Sequence, residues 1–69
     1  VTLSDWEKKI ARNEIYARHG RKFNSAELQQ YFDSMDWYTP SIEAKDFKDE
    51  MLNDVERYNT RLISQYENK

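Results

Sequence analysis

Three short strings constrain this chain more than anything else in it. Ser4-Asp5-Trp6-Glu7, Asn24-Ser25-Ala26-Glu27 and Asn53-Asp54-Val55-Glu56 each set a Ser or Asn three residues ahead of a Glu. At that spacing the first side chain accepts a backbone N–H of an opening helical turn, and the Glu accepts the backbone N–H of the first residue. Two donors that a helix N-terminus otherwise leaves unmet are thereby satisfied. Three such starts in 69 residues leave room for little besides three helices. The expected fold is a small all-α, three-helix domain occupying residues 1–69 as one unit. Helix 1 is expected at about 5–19, helix 2 at about 25–35 and helix 3 at about 54–66, with a long acidic connection at about 36–52.

The stop signals agree with the starts. Gly20 follows the first helical stretch and can take the left-handed conformation of a C′ position. Arg18 and His19 fall in the expected last turn, where positive charge suits the helix dipole. Asp5–Lys9 and Glu14–Arg18 are spaced as favourable i,i+4 pairs. Trp6, Ile10 and Ala17 share one side of helix 1 with Asn13, while Ala11 and Ile15 lie nearly opposite, so this helix is expected to be central and covered on two sides. Phe23 and Leu28 stand at the staple positions of helix 2, and Leu28, Tyr31, Phe32 and Met35 form its buried stripe. Thr39-Pro40 forces extended backbone after it. In the connection, Ile42 and Phe47 are the expected anchors, with a short helical turn near 48–52. Helix 3 offers the cleanest stripe, Val55, Tyr58, Leu62, Ile63 and Tyr66, with Asn59 inserted at an inward position. No hairpin signal exists.

A chain this short buries a modest share of its surface, so large side chains must supply the core. Its two Trp, five Tyr and three Phe do so. There is no cysteine, hence no disulfide and no thiolate metal site, although an extracellular home remains open. Net charge is −2, but the charges are segregated. Residues 8–22 carry six basic side chains against Glu14 alone, and residues 33–56 carry eight acidic ones against Lys45 and Lys48. That division serves either attraction between two parts of one fold or a basic face for an anionic partner. No stretch is apolar enough to span a membrane, and no signal-peptide pattern opens at Val1. The chain reads as one domain of a longer protein.

Catalysis finds few parts. None of the five Ser residues sits in a G-x-S-x-G or S-x-x-K context, and His19 is the only imidazole. The carboxylates lie in polar segments without a pocket-forming Gly loop, and no spacing recommends a metal site or a cofactor. A non-enzymatic role is expected.

The run Tyr16-Ala17-Arg18-His19-Gly20 reads YARHG, and around it stand Arg12-Asn13-Glu14-Ile15, Phe23, Leu28-Gln29, Tyr31-Phe32, Trp37-Tyr38, Leu52-Asn53, Glu56, Asn59 and Tyr66-Glu67. Over nearly its whole length the chain resembles the YARHG domain family, least so at about Ser41–Lys48. The resemblance implies a bacterial extracellular or surface protein in which this domain accompanies other modules. It implies no reaction and no ligand.

On the residues themselves, Tyr16, Arg18, Gly20, Glu56 and Asn59 read as structural. Arg18 is placed to pair with Glu14 or to reach Glu56, and Asn59, if buried, needs a partner such as a carbonyl of the Trp37–Ile42 connection. His19, Arg21 and Lys22 at the first turn, with Trp37 and Tyr38 at the exit of helix 2, form the candidate binding surface. Basic side chains hold carboxylates or phosphates, and aromatic faces stack on sugars or cations. Cell-wall glycan or an anionic wall polymer fits that surface; Trp37 and Tyr38 serve equally as core closure. The alternative is a protein-interaction or spacer domain that positions a neighbour, marked by an exposed apolar patch. Nucleic acid is not expected, because the basic residues run around helix 1 and the net charge is acidic.

Overall fold

The computed structural model describes residues 4–67. Three α-helices follow one another: α1 Asp5–Ala17, α2 Ala26–Asp33 and α3 Asp54–Glu67, with 3-10 turns at Ala44–Asp46 and Asp49–Met51 in the connection before α3. Helix α1 packs against both of the others, as its two-sided apolar pattern requires.

Two of the three starts form as their sequence dictates. Ser4 Oγ accepts the Glu7 N–H at 3.1 Å, and Glu7 Oε1 accepts the Ser4 N–H at 3.0 Å. Asn53 Oδ1 accepts the Glu56 N–H at 2.8 Å while Glu56 Oε1 accepts the Asn53 N–H at 2.9 Å. The second start lies one residue later than expected. Ser25, not Asn24, caps α2, its hydroxyl accepting the Leu28 N–H at 3.3 Å. The reciprocal bond comes from Gln29 rather than Glu27: its Oε1 accepts the Phe23 N–H at 2.8 Å. Helix α2 also ends early, at Asp33, and α1 ends at Ala17, so Arg18 and His19 lie just past the last turn rather than in it.

Beyond α1 the Arg21 N–H donates to the Tyr16 carbonyl and the Gly20 N–H to the Ala17 carbonyl, at 3.3 and 2.8 Å. This is the paired closure of a Schellman motif. Gly20 has φ +87° and is the only residue with positive φ among those described. Its carbonyl then accepts the N–H groups of both Ser41 and Ile42, at 2.8 and 2.9 Å, while Lys22 N–H donates to the Ile42 carbonyl at 2.7 Å. The connection is thus strapped to the α1–α2 turn by an isolated parallel bridge between Arg21 and Ile42, which the sequence pattern did not announce.

The core is aromatic. Phe32 is fully enclosed at 0 % exposure, with the rings of Phe23, Tyr31, Trp37 and Tyr38 around it at centroid distances of 5.1 to 6.1 Å. Ala17 and Leu28 complete the buried cluster, and Trp6, Ile10 and Met35 pack on its edge.

Helix α3 departs most from expectation. Four of the five residues of the stripe assigned to the core face outward, Val55 at 68 % exposure, Tyr58 at 65 %, Tyr66 at 51 % and Leu62 at 36 %, while Ile63 is half-buried. Asn59 is exposed as well, so it needs no partner in the Trp37–Ile42 connection, and Thr60 is the buried residue of the helix. Helix α3 meets α1 through a polar seam. Arg12 Nε lies 2.8 Å from Glu67 Oε1, and His19 Nε2 lies 2.9 Å from Glu56 Oε2. The seam sets Glu67 against Arg12 of α1 and Glu56 against His19 just beyond it, and carboxylates turned inward need such partners.

A Cβ built on Gly20 would stand 2.5 Å from Ser41 Oγ and 2.9 Å from the Thr39 carbonyl oxygen. Gly20→Ala is therefore expected to lower stability by more than about 1 kcal/mol, through both positive φ and collision; an unchanged thermal midpoint would show the strap to be dispensable. Phe32→Ala is expected to cost about 3–5 kcal/mol, close to the whole stability of so small a domain, and to abolish cooperative unfolding in calorimetry.

Candidate functional site

The strap at Gly20 brings the residues of the first turn, the exit of α2 and the connection to one side of α1. The surface expected from sequence lies here, and its members differ in how far they remain available. Tyr38 is 7 % exposed: its hydroxyl donates to the Arg21 carbonyl at 2.7 Å and accepts from Gln29 Nε2 at 3.3 Å. It closes the core. Trp37 packs edge-on against Phe32 and Tyr38, and the Arg18 guanidinium covers its ring at 4.1 Å from the centroid. Lys22 Nζ donates to Glu43 Oε1 at 2.9 Å. That bond and its charge hold the Lys22 pKa above the usual value and the Glu43 pKa below it. Arg21 lies over the rings of Tyr16 and Phe23, at 5.5 and 5.0 Å.

Of the two partners that sequence offered Arg18, it keeps Glu14, and His19 takes Glu56. It pairs with Glu56 across to α3, and its ring meets the edge of Phe47 at 6.2 Å. Arg18 remains near Glu14 at 3.7 Å and does not reach Glu56. Among the described residues Asp5 and Lys9 form no ion pair. Glu56 thus does two things with one carboxylate: Oε1 caps α3 and Oε2 holds His19. Its pKa is lowered, chiefly by the hydrogen bond from the Asn53 backbone; burial opposes this, and the hydrogen bond and charge of His19 add to the lowering. Asn13 of α1 is buried and donates through Nδ2 to the Lys9 carbonyl at 2.8 Å.

Two adjoining clefts open between α1, α3 and the connection, and Tyr16 and Asp49 line both. The first, of about 360 Å³, is bounded by Arg57, Arg61, Ser64 and Gln65 of α3. The second, of about 340 Å³, is bounded by Arg12, Arg21 and Phe47. Phe47 meets Tyr16 edge to face at 5.5 Å and so walls the junction. Arg57 pairs with Asp54 one turn back, and Arg12 with Glu67. Sequence reasoning named Tyr16 as structural and Arg21 as part of the candidate surface, and missed Asp49, Arg57 and Arg61. The available signal was the second face of α3, where Arg57, Arg61 and Gln65 recur every four residues. Among the described residues, no three His, Cys, Asp or Glu side chains gather as a metal group would require, and no helix is long and apolar enough to cross a membrane.

The lowered Glu56 pKa gives a pH dependence of definite sign. A carboxylate whose folded pKa lies below its unfolded one contributes stability that is present above the unfolded value, near 4.5, and is lost as pH falls through the folded value. Thermal melts of the parent chain between pH 7 and pH 3 are expected to show a larger acid loss than those of Glu56→Gln, since Glu7 and Glu43 contribute equally to both. Equal losses would remove Glu56 from the account.

The chain belongs to the YARHG domain family, whose family model matches residues 1–68. No curated protein and no solved structure matches it.

Proposed function

We propose that this YARHG domain is a non-enzymatic interaction module of a bacterial surface or secreted protein, and that it presents the outer face of α3 to a protein partner. The observation that carries this reading is the orientation of α3, which turns Thr60, Glu56 and Glu67 towards α1 and Val55, Tyr58 and Leu62 towards solvent. Apolar side chains repeated along one helix face cost solubility unless something covers them, and Tyr and Leu at i and i+4 supply the anchors of a helical interface. The bacterial surface setting comes from the family resemblance.

A second reading, binding or targeting to cell-wall polymer, rests on the basic and aromatic residues of the first turn and the exit of α2. Its original surface is weaker than sequence implied. Tyr38 is enclosed, His19 and Lys22 are paired with carboxylates, and Trp37 offers an edge beneath Arg18.

One experiment separates the two. Purified domain is incubated with isolated bacterial envelopes, untreated or stripped of protein by protease. The protein-partner reading expects retention that is lost after protease treatment and lost in the double variant Val55→Ser/Tyr58→Ser, whose melting profile should hold because the two side chains are 68 and 65 % exposed. Retention that survives protease treatment and falls steeply with salt would instead support wall polymer.

A further inference from the structure

We infer that the cleft beside Tyr16 is a binding site for a peptide bearing a free carboxylate, separate from the outer face of α3. Its lining holds opposite charges that the fold leaves unused. Among the described residues, Arg61 and Asp49 form no ion pair, while the neighbouring Arg57 is held by Asp54 and Arg12 by Glu67. Arg61 and Arg57 stand one turn apart on the same side of α3, so two planar guanidinium groups border the cleft from one wall. A carboxylate accepts from such a group through two parallel N–H bonds. Asp49 enters from the connection on the far wall and can only accept, so the ligand must also donate there. Ser64 and Gln65 both donate and accept, which matches the alternating N–H and C=O of a peptide backbone.

The same lining argues against the other ligand chemistries. A polyanion would bring successive negative charges up to Asp49, and Arg57 is already neutralised by Asp54 outside the lining, so phosphate-rich polymers and nucleic acid are disfavoured. A sugar ring needs an open aromatic plate. Tyr16 does not provide one, because Arg21 lies over its face and Phe47 meets it edge to face. One carboxylate with amide donors behind it balances the cleft. The adjoining cleft, reached past Tyr16 and Asp49, gives a longer peptide somewhere to continue.

The test is a titration of the isotope-labelled domain by amide NMR with three probes: N-acetyl-trialanine, its C-terminal amide, and a glucuronate-containing oligosaccharide. The expected result is saturable shifts at the amides of Tyr16, Arg61 and Ser64 with the free-acid peptide only. Arg61→Gln should weaken that binding by about tenfold or more while leaving the thermal midpoint unchanged, the loss of one charge-assisted contact. Val55→Ser/Tyr58→Ser should bind the peptide as the parent chain does, so failure here and failure of the α3 interface are told apart. Equal response to the amide, response to the oligosaccharide alone, no saturable shift by about 20 mM peptide, or unaltered binding by Arg61→Gln would each overturn the assignment.

Discussion

Where the chain leaves α1 it must do three things within two residues: end a helix, reverse direction, and let a second strand of backbone pass at hydrogen-bonding distance. Gly20 makes all three compatible. Its positive φ closes the helix through the Tyr16 and Ala17 carbonyls, and its own carbonyl takes both the Ser41 and Ile42 N–H groups. Any side chain would meet Ser41 and the Thr39 carbonyl. Other features follow from that crossing. It brings residues 41–42 alongside the first turn, which sets Glu43 beside Lys22 and lets the connection carry Phe47 to the ring of Tyr16. The clefts exist because the connection is held there.

The domain has two interfaces of opposite character. Helix α2 joins α1 and the residues after it through stacked and edge-on rings centred on Phe32. Gln29 threads polar contacts through that region, tying the Phe23 N–H, Tyr38 and Asp33 together. Helix α3 joins α1 through carboxylate pairs with Arg12 and His19. Such pairs add little net stability once their desolvation is charged against them, but they reject misregistered arrangements, since any slip would strand a charge. Ring packing supplies most of the free energy, and the polar seam decides where α3 lies.

Much of the fold was legible because helix ends are written locally. Ser4 with Glu7, Asn53 with Glu56, and Gly20 after α1 each act within four residues, and each does what its chemistry requires. The Asn24–Ser25 pair was ambiguous because both residues cap well, and only the contacts of Phe23 and Leu28 decide between them. Periodicity located an apolar face on α3 but could not say which way it points. That depends on Glu56, Glu67, Arg12 and His19 meeting across some 37 to 55 residues of chain, which no local pattern encodes. Of the expected surface of His19, Arg21, Lys22, Trp37 and Tyr38, direct contacts join Arg21, Tyr38 and Trp37, while His19 turns to Glu56 and Lys22 to Glu43. Arg57, Arg61 and Asp49 are read as solvated charges in sequence and form a cleft only once α3 has turned over.

The divided carboxylate of Glu56 has a bearing on how this domain comes together. One oxygen starts α3, and the other reaches the imidazole just beyond the end of α1. A fourteen-residue helix is marginal alone in water, since nucleating its first turn is costly. Here the group that lowers the nucleation cost is also the group that docks. Coil-to-helix ordering at residue 54 and capture by the rest of the molecule thus share an atom's width of structure. Losing either contact loosens the other, so α3 should join and leave the ordered state as a single step.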